Sequence, residues 1–67
     1  MNQVEKVATK SFNYFIEEGD GNVYKARALF AEWVEETSPL IPDSAKESWS
    51  TLVLAIHWCF QDAGYKP

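Results

Sequence analysis

One cysteine, one histidine and three glycines in 67 residues leave little of the chemistry that usually marks a site. Cys59 has no partner for an internal disulfide, and with His57 alone it falls short of the ligand count of an ordinary zinc site, which fits a reducing compartment. On one helix the two side chains diverge by about 200°, so they do not form a nucleophile and base pair. A phosphate-cradling glycine loop is also missing, because Gly19-Asp20-Gly21 opens a helical pattern with no strand before it. Positive charge is scarce: six Lys and Arg stand against ten Asp and Glu, a net charge of -4. That sign is wrong for holding a phosphate backbone by counterion release, so direct nucleic-acid binding is not expected. No apolar run approaches the roughly 18 residues of a membrane span. Met1-Asn2-Gln3-Val4-Glu5 carries neither a basic segment nor an apolar one, and a cytoplasmic location is the expectation.

What is present is a folding composition, 46% hydrophobic with 15% aromatic residues, in a chain sized for one domain over residues 1–67. Val4, Ala8, Ser11, Phe12, Phe15 and Ile16 recur at helical spacing, with Val7 on the same stripe, and predict a helix over about residues 2–18. Gly19 to Asn22 then offers a residue tolerant of positive φ, followed by Asp or Asn to cap the next helix. Val23, Ala26, Phe30, Trp33 and Val34, flanked by Leu29, predict a second helix over about 23–36. Ser38-Pro39-Leu40-Ile41-Pro42 reads as a stiff crossing, with Ser38 and Ile41 extended before their prolines and Leu40 or Ile41 plugging one end of the core. Ser44 and Glu47 match a capping box, opening a third helix over about 44–63 whose stripe is Trp49, Leu52, Val53, Ile56, Phe60 and Ala63. Gly64 stands where a glycine would end it. The fold class expected is all-α, a three-helix bundle with helix 2 opposed to the other two.

Two sets of residues are left over once that core is filled. Leu54, Trp58 and Tyr65 lie off the main stripe of helix 3, and Trp and Tyr are residues that anchor interfaces. They are candidates for contact with another protein, or with a second copy in a homodimer formed through helix 3. The competing reading makes helix 3 the central helix, packed on two sides. Carboxylates gather around the second connector, among them Glu32, Glu35 and Glu36, and read either as a solvated surface or as a patch for a basic partner, including mimicry of nucleic-acid phosphates. Three helical carboxylates without a histidine or a glycine-rich loop are a poor metal site, so no metal or other cofactor is expected. A DNA-reading helix needs exposed basic and amide side chains. Helix 3 offers Lys46, Gln61 and Lys66 against Glu47 and Asp62, which argues against that role.

The runs Phe30-Ala31-Glu32-Trp33-Val34-Glu35, Ile41-Pro42-Asp43-Ser44-Ala45-Lys46-Glu47-Ser48-Trp49 and Ala55-Ile56 resemble a layout of small helical proteins encoded by bacteriophages. In that layout a helix ends, a proline-bearing loop follows, and a capped helix opens with an acidic turn before Trp. The resemblance covers about half the chain, departs from the layout in lacking an acidic-Leu pair before the cap, and assigns no site. It implies an origin in a phage or mobile element and a role in binding a host protein to inhibit or redirect it. The expected function is therefore a non-enzymatic protein-binding module. Self-association and acidic nucleic-acid mimicry are the alternatives.

Overall fold

The computed structural model describes residues 3–66 and has the expected all-α architecture. Helix α1 spans Gln3–Glu18, α2 spans Val23–Thr37 and α3 spans Lys46–Asp62. The expected start of helix 1 at residue 2 lies outside the described residues. Two single 3-10 turns, Ser38–Leu40 and Asp43–Ala45, carry the chain from α2 to α3.

Each stripe sends two side chains into the centre: Ala8 and Phe15 from α1, Ala26 and Phe30 from α2, Ile56 and Phe60 from α3. The inner layer is largely aromatic. Phe60 takes the edge of Phe12 at 4.8 Å between ring centroids and stacks on Phe30 at 5.5 Å, and Phe30 meets Phe15 at 5.8 Å. Ring pairs of this kind contribute about 0.5–1.5 kcal/mol each beyond the area they bury. The stripes are buried less widely than their periodicity suggested, since Val7 stands exposed on α1 and Ala63 exposed past α3.

Glycine decides how closely α1 and α2 approach. A Cβ on Gly19 would sit 2.9 Å from the backbone nitrogen of Ala26, closer than real contacts allow, so the α1–α2 corner needs its absence. The left-handed residue that ends α1 is Asp20, at φ 56°, beside Gly21 at φ 79°. Gly21 N donates to Ile16 O and Asp20 N to Glu17 O, the paired bonds that satisfy the last carbonyls of a helix. Asn22 then caps α2 as expected, its Oδ1 accepting from the backbone N–H groups of Tyr24 and Lys25 at 2.9 and 3.1 Å.

The second connector departs from its sequence reading in three ways. Ser38 is helical, at φ -54° and ψ -42°, because it donates its N–H to Val34 O and opens the Ser38–Leu40 3-10 turn, whose second residue, Pro39, needs no N–H there. Ile41 is extended as expected and half-buried, but Leu40 is 79% exposed and neither joins the central cluster. That end is instead fastened by Trp49, whose indole N–H donates to Ser38 Oγ at 3.0 Å and whose ring meets Trp33 at 5.0 Å. Finally, the Ser44 and Glu47 capping box does not form. Ser44 is taken into the Asp43–Ala45 turn, closed by Ala45 N donating to Pro42 O, so α3 starts at Lys46 behind Ala45 with no side-chain cap.

Candidate functional site

Ring contacts fix the relation of α2 to α3. Trp33 near the end of α2 meets Trp49 near the start of α3, and Tyr24 at the start of α2 meets Tyr65 just past the end of α3, at 5.3 Å. The two helices therefore run in opposite directions. Of the three helix pairs, their backbones approach each other least. An open apolar groove of about 590 Å³ lies between them. From α2 it is lined by Arg27, Phe30, Ala31 and Val34, and from α3 by Trp49, Ser50, Val53, Leu54 and His57.

The candidate residues divide among separate places. Leu54 lines the groove and Trp58 stands one helical turn beyond it, each 54% exposed. Glu35 follows Ala31 by one turn, at the end of the groove away from Arg27, and is exposed. Glu32 and Glu36 belong to a different feature, a wedge of about 330 Å³ between α1 and α2 that they share with Tyr14, Glu18, Leu29 and Trp33. Among the described residues no set of three His, Cys, Asp or Glu is placed to hold a metal ion.

Tyr65 is not beside Leu54 and Trp58. Gly64, at φ 94°, turns the chain back at the end of α3, with Tyr65 N donating to Phe60 O and Gly64 N to Gln61 O. The turn sets the Tyr65 ring, half-buried, at 6.4 Å from Phe60 and near Tyr24. It thereby becomes part of the covering of the core.

Arg27 was not singled out by the sequence reading, although it is the sole arginine of the chain and precedes Phe30 by three positions and Ala31 by four, on their face of α2. Its guanidinium lies 5.1 Å from the Phe30 ring centroid and 5.5 Å from that of Tyr65. Nε is shut off from solvent without a hydrogen-bond partner, and no carboxylate pairs with the guanidinium among the described residues. Along α3, one turn apart, the Gln61 amide nitrogen donates to His57 Nε2 at 3.1 Å. Cys59 is half-buried, its thiol pKa pushed up first by burial and then by the nearby Asp62 carboxylate.

No family model, no curated protein and no solved structure matches this chain. Among the described residues no helix is long and apolar enough to cross a membrane.

Proposed function

We propose that the chain is a non-enzymatic protein-binding module that uses the α2–α3 groove and its Leu54 and Trp58 rim. The observation that carries the reading is the pairing of two large apolar side chains, each more than half exposed, with an open apolar groove lined in part by one of them. A large apolar residue exposed singly is ordinary, whereas two at i and i+4 beside a groove offer the compact desolvating anchor that dominates binding energy. The bacteriophage-like layout of the C-terminal half supports a host protein as the target and modulation of that protein as the outcome.

The test is capture from a bacterial lysate on immobilised protein, with Trp58→Ala and Leu54→Lys as controls. Both variants should melt like the parent, because neither side chain is buried, and both should lose the captured protein. If nothing is retained in a Trp58-dependent way, the reading falls. If retention survives Trp58→Ala but is lost in Glu32→Gln with Glu36→Gln, the acidic wedge is the recognition surface, and phosphate mimicry becomes the better account.

A second reading, self-association, rests on the same two side chains, since a chain of this length gains buried area by pairing. Light scattering at high micromolar concentration tests it, and a mass near 7.7 kDa removes it.

A further inference from the structure

We propose that the α2–α3 groove receives an amphipathic α-helix of a partner protein, laid with a carboxylate at its N-terminal end against Arg27 and a basic residue at its C-terminal end against Glu35 and Glu47. This rests on the reading of the groove as the protein-binding face.

The shape of the groove comes first. From Arg27 to Val34 its α2 wall advances seven residues, about 10.5 Å at 1.5 Å per residue. That is the distance between the first and last apolar anchors of a helix that presents them at i, i+3 or i+4, and i+7. Phe30 and Val53 supply an apolar floor and wall, and Ser50 leaves room where a large residue would fill the space. An extended strand would need an unpaired sheet edge to bond with, and the described residues contain no strand.

Charge then fixes the direction. Arg27 brings a cation with no carboxylate partner among the described residues, and its Nε is shielded from water with no acceptor. The opposite end is acidic on balance: Glu35 one turn past Ala31 and Glu47 one turn before Ser50 are exposed and in no ion pair among the described residues, while the one cation there, Lys46, is turned to Asp43 at 3.6 Å. Helices commonly carry acid in their first turn and base in their last, because the helix dipole favours that order. Such a helix finds a complementary charge at both ends only when its N-terminus lies at Arg27, which makes it parallel to α2 and antiparallel to α3.

The same test separates a foreign helix from a second copy. On its outward stripe α3 presents Glu47, Ser50, Leu54 and Trp58, and it ends in Gln61 and Asp62. Placed antiparallel in a neighbour's groove, it would bring Glu47 to Arg27. It would also bring Asp62 towards Glu35 and Glu47, acid against acid. A second copy therefore satisfies one end of the groove and opposes the other.

The experiment uses the full chain and two blocked, fluorescein-labelled helical peptides. Each has Leu at i, i+4 and i+7; one carries Glu a turn before the leucines and Lys a turn after, and the other has these two charges exchanged. Fluorescence anisotropy should show the first binding about tenfold more tightly than the second, with the difference shrinking as salt is raised. Glu35→Lys with Glu47→Lys, both at exposed positions that leave the fold intact, should remove most of that preference. Arg27→Gln should remove the remainder, with circular dichroism confirming that it is folded.

Equal binding of the two peptides, or binding that persists when the leucines are replaced by alanine, would overturn the proposal, as would no binding of either peptide at millimolar concentration. A chain that is dimeric by light scattering, becomes monomeric in Leu54→Lys and takes up peptide only then would assign the groove to a second copy and also overturn it. Trp58-dependent capture from lysate together with equal peptide binding would sink this inference alone. Failure of both experiments would sink the functional reading with it.

Discussion

Phe30 touches more of this molecule's logic than any other single side chain. It is 2% exposed, packs on Phe15, Trp33 and Phe60, lies under the Arg27 guanidinium and forms the floor of the groove. Truncating a buried phenylalanine costs about 3–5 kcal/mol, comparable to the whole stability of many small domains. Phe30→Ala should therefore abolish the cooperative thermal transition followed at 222 nm; an unchanged melt would contradict the core described above. Cys59 makes a second prediction at this scale. Burial and Asp62 raise the folded thiol's pKa, so it ionises at higher pH than the same thiol in the unfolded chain. Alkylation near pH 8 should be slower for the native protein than for the denatured chain, and faster in Asp62→Asn than in the parent. The linkage sign follows: the full contribution is present below the unfolded thiol's value, and stability declines as pH rises through the interval up to the folded value. A denaturant titration that shows the Cys59→Ala difference growing in the opposite direction would refute that assignment.

Helix ends separate what a sequence announces from what only packing decides. Asn22 is legible because a cap is a local bond from a side chain to the backbone two and three residues on, and Asn22→Ala should lower stability by about 1 kcal/mol in chemical denaturation. Gly64 is legible for the same reason, since the αL residue after a helix is set by its own φ. Ser44 with Glu47 had an equally good local pattern. It was overridden because Pro42, extended at ψ 155°, leads into a turn closed by Ala45 N and Pro42 O, which uses Ser44 inside the turn instead of ahead of the helix. Ser38 becomes visible only when α3 brings Trp49 eleven residues back to its hydroxyl. Asp20 gives a prediction in the other direction. As a non-glycine residue at φ 56° it carries αL strain, so Asp20→Gly should not weaken the protein and should raise its melting temperature, whereas Gly19→Ala, facing the Ala26 backbone, should lower it.

At the scale of the whole molecule, three stripes were enough to specify an all-α bundle, because each helix supplies its own period and the connections are short. The groove was not available from those periods. It depends on how far α2 and α3 stand apart, a property of the packed set, and so Arg27 passed unnoticed while Leu54 and Trp58 were found. Tyr65 shows the same limit: spacing placed it with Leu54 and Trp58, but beyond Gly64 the chain no longer follows the helix. Glu35 and Glu32, three residues apart and grouped by sequence, serve different faces. Exposed charges on the groove end should act mainly on encounter, so Glu35→Gln with Glu47→Gln should slow association with the captured partner and flatten its salt dependence, leaving dissociation nearly unchanged. Stopped-flow mixing at two ionic strengths checks this, and a change confined to the dissociation rate would place those carboxylates in a desolvated contact.

The turn that folds Tyr65 over Arg27 also sets where the chain is heading when it leaves α3. A peptide joined by a flexible linker just after Tyr65 would start beside a ring whose centroid lies 5.5 Å from the Arg27 guanidinium, at the cationic end of the groove. Such a tether presents its cargo at an effective concentration in the millimolar range for a short linker, so even a helix of modest affinity would be held in place. Joined through its own N-terminus, that helix would enter with its first turn at Arg27, in the direction required above. A tag fused beside Tyr65 would crowd the same mouth and should weaken peptide binding in the groove, whereas one fused ahead of α1 should not.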